Sequence, residues 1–465
     1  MVSVSRALSR IKDDLGAYVP DESVLEACRA AKHNWRERKL GPVATFHLFV
    51  LQLLHLNTAI RGLRHLAKTP VNAAAYCKAR MRLPVQVLRS LLRSSAEAIG
   101  KAHRSAGGLS QWRGHRVLLL DGTSSIAPDT PATRKKFRQP KGQKPGCGFP
   151  VPKILGMIDA LTGVMVEMLC FPLYTHEAAK TWTLHPMMKP GDLAVADRGF
   201  CSFVNLALLH LAGVLALFRM HQKQIVDFRP HRRHKGRTDR KGRKNRKGQK
   251  DDKGRPTSKW VRRLGKWDQL VDWVKPASRP KWMTQKQYAE LPQTLRVREV
   301  RYNIPRKGQR TLCVTIATTL LDPELYPKEA IAELYGLRWS VETHFAELKT
   351  TLKMRKVKSQ TPDGVEKELI VYCLLYNLVH ATMLAAARRQ QVDVDRISFI
   401  DTVRWLQTAE VGEALPDLVV NPRRPDRHEP RVIKDLQDTY RKMTKPRKKL
   451  RQALKRQAVG SRKLK

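Results

Sequence analysis

The sequence predicts an α/β protein, a mixed sheet with flanking helices, and three observations carry that reading. Two short apolar runs each end in an aspartate, Val117–Asp121 and Leu193–Asp197, and runs of this length bounded by turn residues read as buried strands. Between them, Ile154–Ala160 and Val164–Phe171 flank Thr162-Gly163 like the arms of a hairpin. The second aspartate is followed by an apolar stretch, Val204–Phe218, that reads as a helix, and strands followed by a strand–helix pair suggest a sheet covered by helices.

Taken in order, residues 1–112 carry helical periodicity with basic faces, including the apolar run Phe46–Leu54 and a segment Val71–Leu92 interrupted at Pro84. They are expected to form a helical DNA-binding domain. Residues 113–220 and 315–390 form the two halves of the sheet domain, with 221–314 inserted between them. The insertion begins with a basic loop, His231–Arg255, in which 13 Lys or Arg stand against 3 Asp with almost nothing apolar, too little to fold by itself. Its later part, Leu295–Ile304 and Thr311–Leu321, reads as a β-hairpin. A long amphipathic helix is expected after Pro327. The apolar segment Leu369–Ala387 nearly reaches membrane-spanning length, but Asn377, His380 and Thr382 interrupt it, so it reads as a buried core helix. Residues 391–465 form a basic, weakly helical C-terminal region.

Composition narrows the function. In 465 residues, 89 Lys and Arg against 41 Asp and Glu give a formal charge of +48, an excess that repels itself unless the partner is a polyanion. Nucleic acid fits best, because cations along a phosphate backbone release condensed counterions. The seven cysteines show no CxxC spacing, which argues against a zinc finger or a disulfide framework and for a reducing cytoplasm. No targeting segment is visible, and no Gly-rich phosphate loop points to ATP.

The chemistry concentrates in Tyr335-Gly-Leu-Arg338-Trp-Ser-Val-Glu342-Thr-His-Phe-Ala-Glu-Leu-Lys349. On an ideal helix Tyr335, Arg338, Glu342 and Lys349 share an arc of about 60°, beside an apolar stripe of Leu334, Leu337, Val341, Phe345, Leu348 and Leu352. A surface helix with i,i+4 ion pairs explains that spacing equally well. The two strand-end aspartates, Asp121 before Gly122 and Asp197 before Arg198-Gly199, favour a site: three carboxylates could cradle two hard cations flanking an in-line phosphoryl displacement. Weaker constellations are His176-Glu177, read as a surface or supporting pair, His344, read as structural or solvent-facing, and Glu347, which lies off the Glu342 face. Trp260, Trp267 and Trp273 are candidates for stacking on a base, with packing as the plainer reading.

At these residues the sequence resembles the DDE transposases of bacterial insertion sequences, in the group named for the fourth insertion element. The match lies in the ordered trio Asp121, Asp197 and Glu342, with Y-x2-R-x3-E-x6-K at Tyr335, Arg338, Glu342 and Lys349. Asp121-Gly-Thr with Asp129-Thr-Pro, Gly148-Phe-Pro, and Ala75-Tyr-Cys-Lys-Ala-Arg-Met-Arg-Leu-Pro84 extend it. The resemblance implies a ribonuclease-H-like core split by a β-rich insertion, with Asp121, Asp197 and Glu342 as catalytic metal ligands for two Mg2+ ions, replaceable by Mn2+. It implies that Tyr335, Arg338 and Lys349 hold DNA phosphates. It also implies cleavage at terminal inverted repeats, strand transfer into target DNA, and a homodimer in a synaptic complex, with no membrane or ATP involved. The alternative is a catalytically inactive DNA-binding protein derived from such an enzyme.

Overall fold

Side-chain alternation along one strand organises the whole molecule. In β1 (Val117–Ser124), Val117 and Leu119 enter one apolar core while Leu118 and Leu120 enter another on the opposite face, as a period of two requires. The structure, a computed structural model, describes residues 16–36, 39–66, 71–140, 148–221, 224, 226–231, 256–306, 309–410, 412–423 and 452.

β1 pairs antiparallel with β2 (Lys153–Asp159), which pairs antiparallel with β3 (Met165–Phe171). On its other side β1 runs parallel to β4 (Leu193–Ala196), itself parallel to β5 (Leu215–Arg219). The same sheet then continues antiparallel through β9 (Gln309–Thr318), β8 (Thr294–Arg306), β7 (Asp268–Val274) and β6 (Thr257–Gly265). Its order is 3-2-1-4-5-9-8-7-6, nine strands in one sheet. The β-rich stretch between Asp197 and Glu342 therefore extends the main sheet from its β5 side.

Helices cover the sheet. Within residues 1–421, α1 (Asp21–Ala30), α2 (Pro42–Leu54), α3 (Ala73–Arg82) and α4 (Val85–Ser105) precede β1. The break between α3 and α4 falls at Pro84, whose ring and missing N–H suit the position just before a helix. Further along come α5 (Pro131–Phe137), α6 (Phe203–Leu211), α7 (Gln285–Glu290), α8 (Lys328–Leu337), α9 (Ser340–Ala346), α10 (Pro362–Arg389) and α11 (Phe399–Thr408). The helix α10 is long and apolar enough to cross a membrane, yet 89% of its apolar window is buried inside the protein. It packs on α2, α4, α11 and β3, which is why it is apolar all round.

One of its polar interruptions is structural. Asn377 accepts from Met165 N–H and donates to Met165 C=O, both at 2.8 Å, serving the free edge of β3 as a one-residue neighbouring strand. Buried Glu167 on β3 takes Arg89 and Arg93 of α4, each at 2.5 Å, and Arg89 also reaches Glu366 of α10 at 2.7 Å. The N-terminal helices thus share a core and an ion network with the sheet.

Four expectations change. Val204–Phe218 is a helix only to Leu211; Gly213 at φ +69 turns the chain and Leu215–Arg219 becomes β5, because an apolar run buried on both faces serves a central strand as well as a helix. The Asp121-Gly122 step is no turn: β1 continues to Ser124, with Asp121 opposite Gly156 and Gly122 opposite Leu155. The helix after Pro327 breaks at Arg338–Trp339 and closes with a π-turn, Glu347–Thr351. β6 and β7 are strands whose charged and aromatic residues obscure them in the sequence. Apart from His231, the basic loop 231–255 lies outside the described residues, as does nearly all of the tail beyond 423.

Candidate active site

The parallel pairing of β1 and β4 ends at Leu120 opposite Ala196. The next residue on each strand is an aspartate, so Asp121 and Asp197 stand side by side where the two strands part. Alternation decides their direction. Val117 and Leu119 on β1, and Leu193 and Val195 on β4, all face the core that also holds Leu334, Val341, Phe345 and Leu348. Asp121 and Asp197 continue those series and face the same side as α8 and α9.

Arg338 joins the groups. Its guanidinium lies 3.7 Å from Asp121 Oδ2 and 3.7 Å from Glu342 Oε1, with the arginine side chain 5% exposed and the Glu342 side chain 61%. It also stacks over the Trp339 ring, 4.3 Å from its centroid. Because the break between α8 and α9 falls at Arg338, the residue is carried by a turn, while Glu342 sits in the first turn of α9.

Asp197 has its own partners. The Tyr335 hydroxyl donates to its Oδ1 at 3.3 Å, and Arg219 approaches the same oxygen at 3.6 Å. Lys349 on the π-turn donates to the Thr123 hydroxyl at 3.2 Å, held there as Ile126 N–H donates to Arg355 C=O, Val357 N–H donates to Ile126 C=O and the Ser125 hydroxyl donates to Met354 C=O. All six residues anticipated for the site are brought into this neighbourhood, on one side of β1 and β4.

Burial and like charge act on these groups. Burial raises the Asp121 carboxyl above its usual range, helped by neighbouring Asp197 and Glu177 and opposed by the Gly122 N–H and Arg338. Burial pushes the Tyr335 phenol up, so it stays neutral, and pulls the Lys349 ammonium down. A cavity of about 400 Å³ opens beside Asp197, lined by His176, Arg198, Ser202 and His221. It leaves room for a substrate against that carboxylate.

Several residues take roles that local sequence patterns do not show. Glu177 lies against β1: a Cβ at Gly122 would come 2.6 Å from its carboxyl carbon, so a larger residue there would displace the Glu177 carboxylate. Arg219 directly follows the apolar stretch that reads as helix, and only the register of β5 beside β4 places it at Asp197. His344 is not solvent-facing: its ring packs against Tyr376 and His380, with the side chain 13% exposed. Trp273 is fully buried and donates to Glu299 at 2.9 Å, whereas Trp267 is partly exposed beside a second cavity with Arg263, Lys266 and Arg301.

Comparison with known proteins points to one family. Residues 112–378 match the family described as Transposase DDE domain. The transposase InsG for insertion sequence element IS4 of Escherichia coli is 25% identical over 386 residues, covering 78% of this chain and 77% of the relative. Among solved structures, a piggyBac transposase synaptic complex with hairpin DNA superposes with a TM-score of 0.41 at 12% identity, over 88% of this chain and 82% of that one.

Proposed function

The chain belongs to the transposase DDE domain family, of the insertion-sequence type related to IS4, and on that premise we propose that it cuts DNA at the terminal inverted repeats of an insertion sequence and transfers the freed ends into target DNA. The observation that carries this reading is the meeting of three carboxylates from three elements, Asp121 of β1, Asp197 after β4 and Glu342 of α9, with Arg338 at 3.7 Å from two of them. The strand order 3-2-1-4-5, with β1, β4 and β5 parallel, supports a ribonuclease-H-like core over 113–220 and 315–390. β6–β9 then act as an insertion between the second aspartate and the glutamate.

DDE transposases depend on divalent metal, and the donor set here suits Mg2+: hard carboxylate oxygens crowded closely enough that Asp197 raises the Asp121 pKa. Asp121, Asp197 and Glu342 would hold two ions, which when bound activate the attacking oxygen and neutralise the leaving one. The protein's own groups position the DNA. Arg338 and Lys349 present cations to phosphate oxygens on either side of Glu342, as fork donors and point charges do. Neutral Tyr335 donates a hydrogen bond while fixing Asp197. Residues 1–112, the basic segment 231–255 and the region 391–465 contribute further DNA contacts, in a homodimeric synaptic complex at the bacterial nucleoid.

The test uses a short duplex carrying the element's end. Asp121→Asn, Asp197→Asn and Glu342→Gln should each lower metal-dependent nicking by more than about 100-fold, beyond the 10- to 100-fold cost of disturbing a supporting shell, while DNA affinity changes little. Retained nicking in any of the three excludes this trio.

A further inference from the structure

A second group of potential ligands lies just past Glu342, outside the machinery described above. His344 and Glu347, three residues apart, present their side chains together, and His380 of α10 meets them. Oε2 of Glu347 lies 3.7 Å from His344 Nδ1 and 3.7 Å from His380 Nε2. One donor atom from each of the three falls within 4.8 Å of the others. The surroundings are dry: His380 is 3% exposed, and the β2–β3 turn closes over it so tightly that a Cβ at Gly163 would sit 2.5 Å from its Nδ1.

His380 gives the independent indication. Neither of its ring nitrogens has a hydrogen-bond partner among the described residues, since 3.7 Å to Glu347 exceeds hydrogen-bond reach. A buried imidazole with both nitrogens unsatisfied is costly, and a cation bound at one nitrogen removes that nitrogen's share of the cost.

We propose that His344, Glu347 and His380 form a cation site of the zinc class, separate from the carboxylate trio. Two imidazoles and a carboxylate are a borderline donor set, which selects zinc over magnesium. Donors about 2.0–2.1 Å from a tetrahedral ion stand about 3.3–3.4 Å apart, so the two 3.7 Å spacings from Glu347 need to contract by a few tenths of an ångström, while the two imidazoles, within 4.8 Å of each other, close in by side-chain rotation. The Tyr376 hydroxyl, 2.7 Å from His344 Nδ1 and 3.2 Å from Glu347 Oε2, releases the nitrogen on binding and keeps its bond to the carboxylate, orienting it. An ion here clamps the segment bearing Glu342 and Lys349 onto α10. The site binds metal whether or not the chain cuts DNA.

The experiment measures metal retention by the full-length chain carrying Asp121→Asn and Asp197→Asn, which disables the other site. After loading with Zn2+ or Co2+ and desalting, one ion per chain should remain, Co2+ should show the visible bands of tetrahedral nitrogen–oxygen coordination, and Zn2+ should raise the thermal midpoint. Adding His380→Gln or, separately, Glu347→Gln should lower retention at least tenfold. Loss of the ion from the parent chain, or its retention in either added variant, overturns the proposal. If one added variant fails to fold, the parent chain and the other variant decide.

Discussion

Asp121 shows how a single half-buried carboxylate couples its ionisation to stability. Its folded-state pKa lies above the ordinary 3.8, chiefly through burial, so the folded protein holds this proton more tightly than the unfolded chain. The favourable contribution is complete below about pH 3.8 and is lost as pH rises through the raised value. At neutral pH, therefore, ionised Asp121 opposes folding. Asp121→Asn should raise the thermal midpoint of the metal-free protein at pH 7, and the gain should vanish below about pH 3.8; equal midpoints at pH 7 would contradict the assignment. The two aspartates were legible because each ends an apolar run. Arg219 and His380 were not, since their roles depend on a strand register and on a helix packing that no local pattern encodes.

At the scale of elements, α10 owes its place to a few polar side chains as well as to its apolar surface. Asn377 satisfies both backbone groups of Met165, and Asn377→Leu would leave a buried N–H and a buried C=O without partners. A loss of about 2–4 kcal/mol is expected, read as a lower denaturant midpoint with an unchanged slope; a change under about 0.5 kcal/mol would show that water serves the β3 edge. The same helix was readable in the sequence as a core helix because its polar residues argued against lipid. The Tyr335–Lys349 spacing was also readable, although the continuous helix drawn through it was not. The break at Arg338 and the π-turn at Glu347–Thr351 alter the winding, and a π-turn is set by i→i+5 bonds that spacing rules do not foresee. Lys349 nevertheless reaches Thr123.

For the whole molecule, positive charge governs how DNA is met. The formal +48 implies that affinity for DNA falls steeply with salt, by roughly 0.9 in log slope for each phosphate contact. Deleting 232–255 should flatten that slope and weaken binding to any sequence alike; unchanged affinity would mean that the segment takes no part in binding. Composition foretold a polyanionic partner, and alternation foretold a β-rich insertion, but the continuity of nine strands was out of reach, because it rests on the pairing of β5 with β9 about a hundred residues later. That continuity also makes the sheet a ruler. With neighbouring strands about 4.8 Å apart, the edge strand β6, with exposed Lys259, Arg262 and Arg263, stands five strand steps from β4. That is about 24 Å, the rise of about seven base pairs at 3.4 Å each. On the proposed function, a duplex lying across the strands with its scissile phosphate at Asp197 would meet the cations of β6 at that fixed offset.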